Sequence, residues 1–505
     1  MNKSIGLILG IAAFIALLLI PIDPEVLPTA ARYAAAVTVL MAIFWITQPI
    51  PIEATSLIPI VAFPLLGILT PAEACAPYAD KVIFLFLGGF IIAMSMQRWG
   101  LHKRIALKII EFTGTSPRRL ILGFMIATAF LSMWMSNTAT AMMMVPIAIA
   151  IIATVLPTKV YKDMSDEHKA FAGCIVLAVA YAASIGGIAT LIGTPANGIL
   201  VAQMQTIFPD APAVDFFTWL KFGIPLLLIF IPVTWAWLTH VAYRKMPKTL
   251  EHAKEALAAE VAALGPMSRG EKNTLAVFLL TAFLWIFEKN KDFGTFTIPG
   301  LEMIFPGIDD CTVAIFGALL LFLLPVNWKK QEFTMNWQWA VRIPWGILLL
   351  FGGGMCLSAA FIESGLAQAI VDYFTVLNGV PVVLLILIVA LVVCFLTEVT
   401  SNTAIASVMM PILAVTGLSL GINPWILMMT AAVCSSFAFM LPVATPPNAI
   451  AYSTEYVEMK DMVKAGWAMN LLGIAIFMIL LYTVVLWAFG FTMDLPEWAF
   501  TTTIN

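Results

Sequence analysis

Charged residues are scarce in this chain. Asp, Glu, Lys and Arg together make up 11% of its 505 residues, whereas hydrophobic residues make up 61%. An average soluble domain has about 25% charged residues. The formal net charge of −3 also gives no basic surface of the kind that binds nucleic acid, so no nucleic-acid partner is expected. The composition therefore predicts an all-α polytopic membrane protein.

Motifs of common enzymes and metal sites are absent as well. The sequence contains no H-E-x-x-H and no G-x-S-x-G, and its six cysteines include no C-x-x-C pair. The cysteines are expected to be small buried apolar residues, with a Cys75–Cys311 disulfide as the alternative. We therefore expect a protein that is not an enzyme.

Long apolar segments dominate what remains. A helix needs about 20 apolar residues to cross a bilayer, which predicts about eleven transmembrane helices. These lie near 5–22, 29–48, 53–69, 80–98, 170–208, 214–242, 272–288, 309–325, 342–362, 422–452 and 463–490. The first segment lacks an A-x-A cleavage site, which favours a retained helix over a signal peptide.

Two further apolar blocks, 119–157 and 377–417, carry the same motif at their centres. Each block contains Ser-Asn-Thr-Ala, beginning at Ser136 and Ser401, and a proline at the same distance beyond it. Other paired features follow the same order: Gly88-Gly89 with Gly352-Gly353, and Thr194-Pro195-Ala196-Asn197 with Thr445-Pro446-Pro447-Asn448. A lone S-N-T is typical of a helix N-cap, and a lone T-P of a proline kink. Their ordered repetition instead indicates a duplicated unit, and paired interruptions of apolar segments point to a transporter's binding site.

Each block could form two full spans, but polar clusters at 132–140 and 397–407 would then lie in solvent and their repetition would be unexplained. We therefore predict two re-entrant hairpins whose tips stop inside the membrane. Unwound backbone at that depth is tolerated only where it lines a cavity or is buried in protein. The tips are thus expected to mark a site.

Loop charges predict the orientation of the two halves. The segment before the first hairpin carries Arg98, Lys103, Arg104, Lys108, Arg118 and Arg119, whereas the segment before the second has Glu363 and Asp372 and no Lys or Arg. By the positive-inside rule the first segment is cytoplasmic and the second external. Each half then has five crossings and one hairpin, and this odd number of crossings inverts the second half relative to the first.

The predicted organisation has five parts. They are an N-terminal transmembrane helix (1–28), a first repeat (29–243), a cytoplasmic linker (244–271) with a helix near Glu251–Leu264, a second repeat (272–490) and an external tail (491–505). The N-terminus is expected in the cytoplasm and the C-terminus outside, in a bacterial inner membrane.

The chemistry of the tips suits ions of both signs. An interrupted helix presents free carbonyls, which suit a cation, and free N–H groups at a positive dipole end, which suit an anion. Neither motif contains Lys or Arg, so sodium ions would supply the charge that holds a dianion. Glu398, within the second hairpin, is a candidate coupling residue, and a protonated structural carboxyl is the alternative.

These motifs, SNTA, GTPAN, a second SNTA and Phe439–Tyr452 (FMLPVATPPNAIAY), resemble the divalent anion/sodium symporter family, which includes sodium-coupled dicarboxylate transporters of the INDY type. The resemblance covers about Trp45 to Trp487. It implies a homodimer in which each protomer has a scaffold domain and a transport domain that moves like an elevator. Ala196 departs from the second motif, which has Pro447 at that position.

The resemblance also implies residue roles. One sodium site would use Ser132, Ser136, Asn137 and Gly193, and the other Thr397, Thr400, Asn402 and Ala444, partly through backbone carbonyls. Substrate carboxylates would contact Asn137, Thr138, Asn402, Thr403 and Thr445. The expected function is sodium-coupled import of C4-dicarboxylates of the succinate, malate and fumarate class. The alternatives are a sodium-independent dicarboxylate or citrate exchanger and a sulfate symporter.

Overall fold

The computed structural model describes residues 3–21, 23–24, 27–158, 161–292, 296–374 and 379–499. Its helices in the first part of the chain are α1 Lys3–Leu19, α2 Thr29–Thr47, α3 Ile52–Thr55, α4 Ile58–Leu65, α5 Pro71–Cys75, α6 Lys81–Trp99, α7 Leu101–Thr113, α8 Pro117–Ser132, α9 Asn137–Val155, α10 Asp166–Ile188, α11 Pro195–Ile207, α12 Phe216–Ala236 and α13 Ala253–Ala263. The helix α13 is the one expected in the linker.

The second part of the chain continues with α14 Arg269–Phe287, α15 Asp310–Leu323, α16 Trp337–Ala340, α17 Trp345–Glu363, α18 Leu366–Phe374, α19 Val382–Thr397, α20 Asn402–Ser419, α21 Pro424–Cys434, α22 Pro446–Ser453, α23 Met459–Leu480 and α24 Leu486–Phe489. Two small antiparallel hairpins join β1 Lys291–Asp292 to β2 Thr297–Ile298 and β3 Pro325–Asn327 to β4 Glu332–Phe333. Within the described ranges, nine helices are long and apolar enough to cross a membrane.

The same sequence of elements occurs twice. A long helix, a shorter helix, two helices joined by a four-residue turn, a broken helix and a closing helix form α6 to α12, and the same order recurs in α17 to α23. The two helical hairpins are α8–α9, with the turn 133–136, and α19–α20, with the turn 398–401. We call them the first and second hairpins.

The core surrounds the two broken helices. In α10, every residue from Phe171 to Ile188 is buried, and so is every residue of α21. A helix that is apolar on all sides is stable only when it is enclosed. These helices end in the irregular segments 189–194 and 435–445, which we call the first and second breaks. Both breaks therefore follow buried helices, with α9 and α22 both packed against α10. Within the second break, Val443 is exposed.

Several elements differ from the sequence prediction. The expected span 53–69 is two short helices, and Trp45 Nε1 lies 3.2 Å from Ser56 Oγ between them. The α7 helix was not predicted, because its basic amphipathic sequence reads as a charged loop. All six cysteines are free, so the alternative Cys75–Cys311 disulfide is wrong, and Cys75 is exposed rather than buried.

The first and last parts of the chain that the structure describes are held against neighbouring elements. Gly6 and Gly10 of α1 leave room for Thr47 and Phe44 of α2, so these two helices approach closely. At the other end, Leu495 N donates to Gly421 O at 3.0 Å, which holds the start of the tail against the loop after α20.

Candidate functional site

A cavity of about 800 Å³ lies where both hairpin turns and both breaks meet. Four helices begin at its wall: α9 at Asn137, α11 at Pro195, α20 at Asn402 and α22 at Pro446. Each helix N-terminus carries a partial positive charge and free backbone N–H groups, apart from the prolines. The remaining wall is formed by Lys3, Ile46, Thr47, Gln48, Ile52 and Ile347. The four helix N-termini therefore suit an anion, although neither motif has a Lys or Arg that could form a salt bridge with it.

The first hairpin turn is fixed by side-chain oxygens. Ser136 caps α9 by accepting a hydrogen bond from Ala139 N at 3.3 Å. The hydroxyl of Ser132 lies 2.7 Å from Asn137 Oδ1 and 2.6 Å from the carbonyl of Ala183 on α10. Three oxygens thus converge behind the S-N-T motif, which is the donor set that a hard cation prefers.

The second hairpin repeats this arrangement with a threonine. Thr397 Oγ1 lies 2.5 Å from Asn402 Oδ1 and 3.0 Å from the carbonyl of Ser435. Ser401 caps α20 through Ala404 N at 3.5 Å. The N-cap role that is typical of a lone S-N-T is therefore present, and an oxygen cluster lies beside it.

An asparagine in each T-P motif closes the adjacent break. Asn197 Nδ2 donates to Thr190 O at 2.8 Å and lies 3.2 Å from Ile188 O. Asn448 Nδ2 donates in the same way to Ala438 O at 3.0 Å and Leu441 O at 3.1 Å. These contacts replace the helical hydrogen bonds that the interruption removes. The sequence showed both asparagines, but nothing in it indicated this contact.

Buried oxygens without a hydrogen-bond partner also occur as pairs. Within the described residues they include Asn197 Oδ1 with Asn448 Oδ1, and Ser184 Oγ with Ser436 Oγ. Ser184 and Ser436 directly follow Ala183 and Ser435, whose carbonyls contact the hairpin hydroxyls. An unpaired buried oxygen is unfavourable, and a bound cation would satisfy it. The residues around both turns therefore fit sodium.

The structure brings the residues named from the sequence together in two layers. The cavity wall includes Ser136, Asn137, Thr138, Thr400, Asn402, Thr403, Ala444 and Thr445. Ser132, Gly193 and Thr397 are buried behind this wall. Gly193 approaches the backbone of Gly187 so closely that a side chain would not fit there. Gly187 in turn makes room for the amide of Asn137, a packing role that sequence reasoning missed.

Glu398 lies outside the cavity wall. It is 3% exposed and belongs to the turn of the second hairpin. Its carboxylate accepts hydrogen bonds from the backbone N–H groups of Phe439, Met440 and Leu441 at 2.8 to 3.2 Å. Asn470 Nδ2 donates to the same carboxylate at 2.7 Å. The side chain therefore faces the second break and has no direct contact with the cavity.

Lys3 and Gln48 are two polar members of the wall that sequence reasoning missed. Lys3 is the one ionisable residue among those that line the cavity. The close packing of α1 on α2 places it there, and Gln48 follows α2 in a left-handed conformation with φ 47°. A lone lysine near the start of an apolar helix resembles an ordinary interfacial residue, so no sequence pattern could have identified it.

Two solved structures share this fold. The chain matches the Alcanivorax borkumensis YdaH transporter with a TM-score of 0.55 and 15% identity, over 85% of this chain and 88% of that one. It matches Neisseria gonorrhoeae MtrF, described among antimetabolite efflux pumps, with a TM-score of 0.57 and 12% identity, over 95% and 98% of the two chains. Together with the apolar helices, these matches confirm the predicted polytopic all-α transporter fold.

Curated relatives are closer in sequence. The sodium-dependent dicarboxylate transporter SdcS of Staphylococcus saprophyticus is 40% identical over 500 residues, which cover 98% of this chain and 94% of SdcS. SdcS of Staphylococcus aureus is 40% identical over 496 residues, with the same coverage. Residues 1–492 match the family described as the sodium:sulfate symporter transmembrane region. The chain therefore belongs to this family of divalent anion/sodium symporters, the family that its paired motifs resemble.

Proposed function

We propose that this protein imports C4-dicarboxylates of the succinate, malate and fumarate class, together with sodium ions, across a bacterial inner membrane. The observation that carries the proposal is the convergence of four helix N-termini and two hydroxyl–amide clusters on one cavity. The names of the 40%-identical SdcS proteins support a dicarboxylate substrate and dependence on sodium, and the C4 class is the finer part of the proposal.

The proposed substrate site uses side chains at the four helix starts. The hydroxyls of Thr138, Thr403 and Thr445 and the amides of Asn137 and Asn402 line the cavity. Each can donate a hydrogen bond to a carboxylate, and the helix dipoles add positive potential. A linear dicarboxylate has a charge at each end, which matches two S-N-T turns that face the same space.

The proposed sodium sites lie behind these turns. One would use oxygens of Ser132, Ser136, Asn137 and Gly193, and the other those of Thr397, Thr400, Asn402 and Ala444. Sodium bound there would supply the positive charge that the motifs lack and would hold the asparagine amides in place. Each ligand then strengthens the binding of the other, because linkage is reciprocal.

The proposed transport cycle is of the elevator type. The hairpins and broken helices would move as one body against α2, α6, α14, α15 and α17, within each protomer of a homodimer. The two repeats would have opposite orientations in the membrane, and the hairpins would be re-entrant. Support comes from the repeated order of elements and from cavity walls contributed by both sets of helices.

The decisive experiment uses purified protein in proteoliposomes and labelled succinate. An inward sodium gradient should drive accumulation, and replacement of sodium by choline should abolish it. Equal uptake in choline, or succinate counterflow without sodium, would contradict the proposal and favour an exchanger.

If sulfate competed better than unlabelled succinate, the sulfate symporter would be favoured. Faster uptake at an inside-negative valinomycin potential would mean that sodium carries more charge than the dianion neutralises.

A further inference from the structure

The turns of the two hairpins differ in charge at one position next to the proposed sodium sites. Met133 precedes Ser136 by the same three positions by which Glu398 precedes Ser401. Met133 is buried, and its carbonyl accepts a hydrogen bond from the Thr190 hydroxyl. At the equivalent position, Glu398 brings an ionisable group that the first repeat does not have. The repeats are therefore equivalent in shape but not in charge.

The surroundings of Glu398 fit an ionised carboxylate. Oε1 accepts from Phe439 N at 2.8 Å, Met440 N at 3.0 Å and Asn470 Nδ2 at 2.7 Å. Oε2 accepts from Met440 N at 3.2 Å and Leu441 N at 3.0 Å. Every one of these partners is a donor, and a protonated carboxyl would direct one O–H at a donor. Such an array of charge-assisted bonds stabilises the negative charge at this depth.

A short chain of contacts connects this carboxylate to the second break. Leu441, whose N–H bonds to Glu398, uses its carbonyl to accept from Ala444 N at 3.1 Å and from Asn448 Nδ2 at 3.1 Å. The first break has the matching contacts, because Thr190 O accepts from Gly193 N at 3.4 Å and Asn197 Nδ2 at 2.8 Å. At the first break, however, the supporting group is the neutral Thr190 hydroxyl, which donates to Met133 O and accepts from Gly193 N at 3.1 Å. The second break is thus fixed by an anion and the first by a neutral group.

We propose that Glu398 is a positioning residue and counter-charge for the sodium site of the second repeat, and that this site binds sodium more tightly and fills first. The inference rests on the proposed function. Glu398 immediately follows Thr397 and precedes Thr400 by two positions in the turn of the second hairpin, so its charge belongs to the second site. The first hairpin has the uncharged Met133 at the equivalent position. Partners of metal ligands typically change metal affinity by about 10–100-fold when they are mutated.

The test measures sodium binding without substrate, as the shift in melting temperature of the purified protein when sodium replaces choline. Glu398→Gln keeps the shape and removes the charge, and Glu398→Met copies the first repeat. Both should raise the sodium concentration for half-maximal stabilisation by about tenfold or more. Glu398→Asp should restore part of the affinity, and the matched control Met133→Leu should leave it unchanged. A variant with a lower melting temperature in choline but the parent's sodium dependence would show a merely structural role and overturn the inference.

A second pair of variants tests the order of filling and leaves Glu398 intact. Asn137→Ala disables the first site, so the sodium-induced shift in melting temperature that remains should come from the second site and be half-maximal at the lower sodium concentration. Asn402→Ala disables the second site, so the shift that remains should be half-maximal at a sodium concentration about tenfold higher. Equal or reversed responses would overturn the inference, while sodium-driven uptake by the parent would leave the proposed function standing. A parent protein with no sodium response at all would overturn both.

Discussion

Thr138 and Thr403 are the second residues of α9 and α20, and both line the cavity. In the part of the chain that the structure describes, neither hydroxyl has a hydrogen bond to another residue. The neighbouring Asn137 and Asn402, in contrast, already accept hydrogen bonds from Ser132 and Thr397. The threonine hydroxyls are therefore available to a substrate. In the proposed site, the asparagines would connect that substrate to the buried oxygen clusters.

This difference predicts two distinct phenotypes within one motif. Thr403→Ala removes a hydroxyl that is proposed to bond a substrate carboxylate, and its loss should cost about 1.5–3 kcal/mol, or about one to two decades of substrate affinity. Sodium-dependent thermal stabilisation without substrate should stay close to that of the parent. Asn402→Ala should weaken both sodium and substrate binding, because it removes an oxygen of the proposed sodium site and the amide of the proposed substrate site.

Thr138→Ala and Asn137→Ala repeat the comparison in the other half of the protein and serve as its internal control. The measurements are the succinate concentration for half-maximal uptake and the sodium-induced shift in melting temperature. The division of roles is wrong if Thr403→Ala abolishes the sodium-induced shift, or if Asn402→Ala binds both ligands like the parent.

Residue patterns revealed only part of the site. Repetition made the S-N-T and T-P motifs visible, and the structure brings all four to one cavity. Lys3, Gln48 and Gly187 have no repeated or periodic context, so they were missed. Their positions depend on the packing of α1 on α2 and on contacts between α10 and the first hairpin. Such contacts between segments far apart in sequence leave no local pattern.

At the scale of elements, length and apolarity predicted most of the long helices. The predicted spans 29–48, 80–98 and 342–362 match α2, α6 and α17 within a few residues. Interrupted helices were harder to predict, because an apolar run of 17 residues does not reveal whether its backbone continues as one helix. The segment of α3 and α4 is an example. Its helix is interrupted at Ser56, whose hydroxyl donates to Ile52 O and accepts from Trp45 Nε1.

The two hairpins are predicted to have opposite polarity in the membrane. Lys162 follows α9 and is exposed, and Ser419 ends α20 on the other half of the protein. In a variant without the six native cysteines, Lys162→Cys should react with an impermeant maleimide only from the cytoplasmic side. Ser419→Cys should react only from outside. Labelling of both positions from one side would contradict the inverted repeats, and permeabilised cells provide the control for reactivity.

At the scale of the whole molecule, α11 lies between the helices that are proposed to move and those that are proposed to stay fixed. It packs against α20 of the second hairpin and against α17. At this junction Ser358 Oγ donates to Gln203 Oε1 at 2.9 Å, and Gln203 Nε2 donates to Ser407 O at 3.3 Å. Gln203 and Ser358 are fully buried. If α11 moves with the hairpins while α17 stays fixed, the bond between Gln203 and Ser358 must break during each cycle.

An elevator movement therefore predicts that a bridge at this junction stops transport. In the cysteine-free background, Gln203→Cys with Ser358→Cys should allow a mercuric ion to join α11 to α17. Sodium-driven uptake should fall by at least about tenfold, equivalent to about 1.4 kcal/mol, and a dithiol should restore it. Each single cysteine should lose far less activity under the same treatment.

The matched control lies within the part of the protein that is proposed to stay fixed. Ser95 Oγ and Thr274 Oγ1 are 2.8 Å apart on α6 and α14, and both residues are as buried as the test pair. A mercuric bridge between Ser95→Cys and Thr274→Cys should leave uptake intact, because these helices keep their contact throughout an elevator cycle. Inhibition by both bridges would indicate general damage by mercury. Unimpaired uptake with the α11–α17 bridge formed, as verified by protection of both thiols from alkylation, would rule out a relative movement of these helices and with it the proposed elevator.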